Sequence, residues 1–197
     1  MALAAGSGLS RAERAKGCRG GVTIRPVSDN RHPGRNIVLT GFHLAGKTTI
    51  GRELARRMRR PLIDLPIEIE RRQRSLLSPF TRRPSDNEAE RRIVSDIASR
   101  REVIIATGAD TLLREWNADE LRVFSFLVFL DPPFEMLCRR AQSKRFAHRA
   151  LGPFSLDEAF QPWQERRQVY EHCDLQLTDG ASTPELTARL VLHCFYT

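Results

Sequence analysis

The sequence predicts an α/β protein built on a five-stranded parallel sheet with helices on both faces. Three observations point there. Short, almost purely apolar runs alternate with segments whose apolar residues recur every three or four positions. The alternation of strand and helix continues from residue 36 to the end of the chain. Where one pattern gives way to the other, the chain carries glycine, proline or a helix-capping side chain.

Residues 1–34 precede the pattern. Gly6, Ser7, Gly8, Gly17, Gly20, Gly21, Pro26, Pro33 and Gly34 break any periodicity, so this stretch is read as a disordered basic extension with a short strand at Val22, Thr23 and Ile24. Ile37 to Leu39 is the first strand of the sheet, ended by Thr40 and Gly41. Ile50, Leu54 and Met58 then recur at helical spacing until Pro61 stops the helix. Leu62 and Ile63 make a second strand ending at Asp64, followed by a brief charged helix around Ile67 to Arg72. Ser85 and Glu88 form a capping box ahead of a helix whose buried face is Ile93, Val94 and Ile97.

The third strand is Val103 to Ala106. The fourth is Val123 to Leu130, stopped by Asp131, Pro132 and Pro133. Phe134 to about Arg145 reads as helix. A second capping box, Ser155 with Glu158, opens a helix carrying Ala159, Trp163, Arg166 and Tyr170. Asp174 to Leu177 is the fifth strand, and Thr183 caps a terminal helix that has Pro184 in its first turn.

A chain of 197 residues, 41% of them apolar, can bury one full core, so residues 35–197 are read as one domain. No apolar run approaches the roughly 20 residues needed to span a bilayer. The expectation is a cytoplasmic protein without membrane contact. Cys18, Cys138, Cys173 and Cys194 stand apart, with no CxxC pair, which argues against a zinc site or a disulfide framework. The net charge of +8 raises nucleic acid as a partner. However, residues 1–35 hold seven Arg/Lys against two Asp/Glu, leaving only +3 for the rest. The basicity belongs largely to the extension, and a nucleic-acid partner is not expected.

The most informative stretch is GFHLAGKT, Gly41 to Thr48, which matches G-x-x-x-x-G-K-[ST] and lies between a strand and a helix, where that motif works. Such a loop wraps backbone N–H groups around a phosphate chain, aided by the positive end of the following helix. Gly41, Leu44, Ala45, Gly46, Lys47, Thr48 and Thr49 are therefore candidate nucleotide-binding residues. Lys47 is placed to reach the β- and γ-phosphates and Thr48 to take a Mg²⁺ position. A base-reading NKxD element is absent, which argues against a GTPase.

With these residues in view, the chain resembles the shikimate kinase family, small P-loop kinases of the nucleoside monophosphate kinase type. The resemblance rests on NIVLTGFHLAGKTTIGRELARRM, PLIDLPIEIERR, VIIATG, FLDPPFEMLCRR and ERRQVYEHCDLQL, in that order. It covers roughly residues 35–195 and implies the P-loop nucleoside triphosphate hydrolase fold. It also implies ATP with Mg²⁺, and transfer of the γ-phosphoryl to a hydroxyl of shikimate or a related small polar metabolite. A monomer or weak homo-oligomer is expected.

Carried over position by position, the resemblance implies Lys47 and Asp64 as catalytic residues, with Asp64 holding a Mg²⁺-bound water or capping the following helix. It implies that Arg166 grips the acceptor's carboxylate, a task suited to its two parallel donors. It further implies a lid over residues 144–154 whose Arg149, or Lys144 or Arg145 in its place, is catalytic, stabilising the transferring phosphoryl group or covering the adenine.

The acceptor side departs from the family. Pro66 stands where a second aspartate is usual, and Asn87 where an arginine is usual, with Arg91 or Arg92 a helical turn later. Gly108, Ala109 and Asp110 replace three glycines. Asp110 or Glu68 is left to orient the acceptor hydroxyl, while Asp110 could equally cap a helix starting at Thr111. Two functional readings follow: a small-molecule kinase, or a nucleotide-binding regulatory module that has lost transfer.

Overall fold

The computed structural model describes residues 22–24, 34–75, 86–143, 158–178 and 183–197. Its centre is β2 (Asn36–Thr40), where all five residues are buried. Neighbouring residues of a strand face opposite sides of a sheet. Val38 thus enters one core with Ile105, Leu127 and Phe129, while Ile37 and Leu39 enter another with Ile104, Val128 and Leu130. A strand with cover on both sides needs an unbroken apolar run, which Ile37, Val38 and Leu39 supply.

Parallel pairing sets β5 (Ser125–Leu130) on one side of β2 and β4 (Ile104–Ala106) on the other. Outside these lie β3 (Leu62–Asp64), next to β4, and β6 (Leu175–Leu177), next to β5. The five parallel strands anticipated from the sequence are all present. The short strand read at Val22–Ile24, β1, adds a sixth, pairing antiparallel with β6 so that Val22 lies opposite Leu177. The order across the sheet is β1-β6-β5-β2-β4-β3.

On one face lie α1 (Lys47–Met58) and α7 (Pro184–Tyr196), whose Ile50, Leu54, Ala188, Val191 and Phe195 complete the second core. The other face is covered by α2 (Leu65–Ser75), α3 (Asp86–Ala98), α4 (Glu115–Val123) and α6 (Phe160–Tyr170). They bring Leu65, Ile93, Val94, Ile97, Leu121 and Tyr170 to the first core. Each fully buried side chain of this size stabilises the fold by about 1.5–3 kcal/mol. The remaining helix, α5 (Phe134–Gln142), sets Leu137 against Phe42 and Ala159 in a small third cluster.

One polar residue ties these layers together. Asn36 is completely buried, and its side-chain amide donates to the carbonyls of Ala98 and Arg100 while its oxygen accepts from Val103 N–H. It thereby satisfies the end of α3 and the entry to β4, groups that would each cost about 1–3 kcal/mol if buried unpaired.

Several boundaries differ from the sequence reading. Val123 closes α4 rather than opening the fourth strand, which starts at Ser125. That helix is hard to see in the sequence, because its buried side is only Asn117, Ala118 and Leu121. The helix anticipated from Thr111 is a single 3-10 turn, Thr111–Leu113, and Asp110 makes no capping bond to it. The cap at Thr183 is present, with Leu186 N–H donating to its hydroxyl at 3.3 Å and Pro184 in the first turn. Ser85 and Ser155, and with them both capping boxes, lie outside the described residues. Among the described residues no helix is long and apolar enough to cross a membrane.

The connection from β2 through α1 to β3 passes β4, whereas the chain leaving β4 returns past β2 to β5. The direction of winding therefore reverses at β2, and the carboxyl ends of β4, β2 and β5 open a crevice there.

Candidate active site

The crevice is entered by the loop between β2 and α1. Gly41, Leu44 and Gly46 all have positive φ, at 137°, 59° and 103°, which curls the backbone so that successive N–H groups can line a concavity. Leu44 holds this conformation despite its side chain, at a strain of order 1 kcal/mol. The α1 helix then starts with no side-chain cap and no acidic residue in its first turn. Its leading amides are left for an anion.

Lys47 closes the loop. Its Nζ donates to the carbonyls of Gly41 and Phe42, both at 2.7 Å. Burial pulls the ammonium down to about 8, against the opposing pull of Asp64 and Asp110. The next residue, Thr48, donates its hydroxyl to Asp64 Oδ2 at 2.7 Å, joining the start of α1 to the end of β3. Ala45 is buried and Thr49 is exposed. From α5, Arg140 donates to the Leu44 carbonyl at 2.8 Å, and its guanidinium lies 3.9 Å from where a Cβ on Gly46 would stand. Partial burial lowers the pKa of Arg140.

The far wall comes from β4 and α6. Gly108 follows β4, and a Cβ there would meet the Pro66 ring at 3.3 Å and the Thr111 hydroxyl at 3.2 Å. Pro66 thus occupies the space over Gly108. Asp110 forms an ion pair with Arg166 at 2.7 Å. This is where the Asp110 carboxylate goes instead of capping the turn. Beneath the pair, the Arg166 guanidinium sits 5.6 Å from the centre of the Phe42 ring, and Tyr170 donates its hydroxyl to the Ala109 carbonyl.

Thr48 is thus bonded to Asp64, Asp110 to Arg166, and Lys47 lies close enough to feel both Asp64 and Asp110. Other candidates do not join them. Glu68 is engaged by Arg71 and Arg72, which hold its carboxyl down at about 2. Arg91 lies over Trp116, Arg92 pairs with Glu88, and Asn87 is exposed. The substitute arginines considered for Asn87 are thus drawn to other partners. Arg149, Lys144, Arg145 and the whole of the 144–154 lid lie outside the described residues.

Sequence reasoning missed His43. Its Nε2 is buried and has no hydrogen-bond partner among the described residues. Burial, reinforced by Lys47, pulls the imidazole down from 6.5 to about 4. The nearby charges also include Asp110, which opposes the shift, and Arg166, which adds to it. The only signal in the sequence was a polar ring at a variable position of the loop motif.

A folded-state value below the unfolded one makes the stabilising contribution of neutral His43 complete above pH 6.5. It is lost as pH falls towards 4. Discounted for partial exposure, about 2 kcal/mol disappears between pH 7 and 4.5. Urea denaturation at both pH values should show this drop in the wild type and a smaller one in His43→Gln. Equal drops would show that His43 does not titrate in this way.

With the geometry established, comparison with known proteins identifies relatives. The shikimate kinase family profile matches residues 44–195. A shikimate kinase of Syntrophus aciditrophicus is 32% identical over 117 residues, 58% of this chain and 60% of that protein. One from Thermosynechococcus vestitus is 32% identical over 148 residues, 73% of this chain and 80% of the relative. The crystal structure of the Bacteroides thetaiotaomicron shikimate kinase superposes with a TM-score of 0.66 at 26% identity, covering 83% of this chain and 99% of that one.

Proposed function

Since the chain belongs to the shikimate kinase family, small-molecule kinases that use ATP with Mg²⁺, we propose that it moves the γ-phosphoryl of ATP to a hydroxyl of shikimate or a related small polar metabolite. The observation that carries this reading is the arrangement at the start of α1: a concave backbone loop, an enclosed lysine and a hydroxyl–carboxylate pair. Thr48 and Asp64 offer two hard oxygens 2.7 Å apart. No group of three or more metal-binding side chains occurs among the described residues. That set fits Mg²⁺, which keeps waters and phosphate oxygens and needs few protein ligands. When bound, the ion neutralises charge developing on the β- and γ-phosphates.

The protein's own part is positioning and charge. Amides of residues 41–48 hold the phosphate chain, Lys47 turns from its two carbonyls towards it, and Asp110 orients the acceptor hydroxyl. The acceptor oxygen bonds to the γ-phosphorus as the bond to the β–γ bridging oxygen breaks. The electron pair stays on ADP, and the hydroxyl proton passes to water. Phosphoryl transfer makes little demand on a strong base, so Pro66 in place of an aspartate is no obstacle.

A nucleotide-binding module without transfer is not favoured, because it would have no use for an aligned Thr48–Asp64 pair. A coupled assay for ADP release, run against hydroxylated acceptors with and without a carboxylate, tests the proposal. Acceptor-dependent release supports it. Nucleotide binding with no response to any acceptor would leave only the module.

A further inference from the structure

Arg166 is the residue that the family resemblance would assign to an acceptor carboxylate, yet here it already has one. Asp110 is 2.7 Å from it, and the two side chains differ sharply in exposure: 15% for Arg166 and 61% for Asp110. The arginine lies 5.6 Å from the centre of the Phe42 ring, and the aspartate is the more exposed of the two. An incoming carboxylate would have to displace Asp110 or lie beside it, and like charges at that range repel.

The rest of the described wall offers no compensation. Among the described residues, Asn87 supplies no charge, Arg91 is drawn to Trp116, and Arg92 to Glu88. Pro66 supplies no side-chain polar group and fills the space above Gly108. Among the described residues, what remains is an arginine paired with Asp110, an outward carboxylate able to accept hydrogen bonds, and, close to both, the imidazole of His43, whose buried Nε2 has no hydrogen-bond partner among them. These are the groups that recognise hydroxyls.

We propose that the acceptor is an uncharged polyhydroxylated molecule, with Asp110 standing where an acceptor's own carboxylate would otherwise meet Arg166. This rests on the kinase reading above and narrows its substrate class. His43 contributes as a neutral hydrogen-bonding partner, and Asp110 both cancels the charge of Arg166 and accepts from an acceptor hydroxyl.

The test uses pairs of acceptors matched in shape and differing in charge: methyl shikimate against shikimate, sorbitol against gluconate, glycerol against glycerate. For the wild type, the uncharged member of at least one pair should give a kcat/KM tenfold or more above its carboxylate. In Asp110→Asn, Arg166 is released, so the carboxylate should gain tenfold or more and the uncharged partner should lose. Asp110→Glu keeps the ion pair within reach and should retain the wild-type order, which separates charge from folding effects.

Preference for the carboxylate in every pair by the wild type, or a ratio that Asp110→Asn leaves unchanged, would overturn the inference while the kinase reading stands. If titration calorimetry shows Mg·ATP binding but neither class of acceptor raises ADP release, the kinase reading and this inference fail together.

Discussion

Replacing Lys47 with alanine is expected to lower acceptor-dependent ADP release by at least two to three orders of magnitude while leaving the fold nearly as stable as before. The activity loss follows from where the ammonium sits. It is the one cation held inside the loop by two carbonyls of that loop, those of Gly41 and Phe42. Removing a preorganised donor from developing negative charge typically costs about 2.7–4 kcal/mol of transition-state stabilisation.

The stability side is less obvious and needs magnitudes. Enclosure drags Lys47 from 10.5 to about 8, so carrying its charge at neutral pH costs the fold about 3 kcal/mol. Alanine removes that cost but leaves the Gly41 carbonyl without the ammonium, at about 1–3 kcal/mol where water cannot reach, while the Phe42 carbonyl keeps the Ala45 N–H. The two effects nearly offset, and the midpoint in urea should shift little. Steady-state assays and urea melts on the same preparation decide the matter. A variant that keeps more than a tenth of wild-type transfer would remove Lys47 from the reaction.

The contrast between legible and hidden features follows how far apart the interacting residues lie in the chain. Lys47 and Thr48 could be read directly, because a loop leaving a strand and entering a helix fixes their positions locally. Asp64 was nearly as plain, since it ends a strand that must run parallel to β2. The Asp110–Arg166 pair was invisible. Each residue could be placed at the crevice, but only the docking of α6 against the end of β4 brings them within 2.7 Å of one another.

The same limit explains Arg91 and Arg92, which helical spacing could put near Asn87 but could not turn away towards Trp116 and Glu88. It also explains α4, whose buried side includes an asparagine that donates to Glu90 and to the Thr111 carbonyl. Hydrophobic periodicity cannot register a residue buried for its hydrogen bonds. His43 was missed for a related reason: a variable position in a motif carries no expectation, and only burial makes its orphaned nitrogen conspicuous.

Gly41→Ala should have the largest structural effect at the site, because two independent constraints meet on that residue. Its φ of 137° lies where L-residues with a side chain are strained. An added Cβ would also stand 2.3 Å from the backbone oxygen of Leu130, well inside contact distance. Something must yield, and it is not β5: that strand is paired on one side with β2 and on the other with β6, and Leu130 is almost wholly buried. The loop moves instead, carrying the Gly41 and Phe42 carbonyls away from Lys47 and spoiling the concavity of amides behind them.

A stability loss of about 2–4 kcal/mol is expected from strain and steric clash together. Mg·ATP affinity should fall by at least a hundredfold, since the loop's amides no longer converge. Gly34→Ala is the internal control. A Cβ there meets nothing within 4 Å, and its effect should stay within about 0.5 kcal/mol. Denaturant melts and titration calorimetry with Mg·ATP on the two variants separate the cases. Should Gly41→Ala bind nucleotide within threefold of the wild type, the close approach of this loop to the end of β5 would not be what shapes the phosphate site.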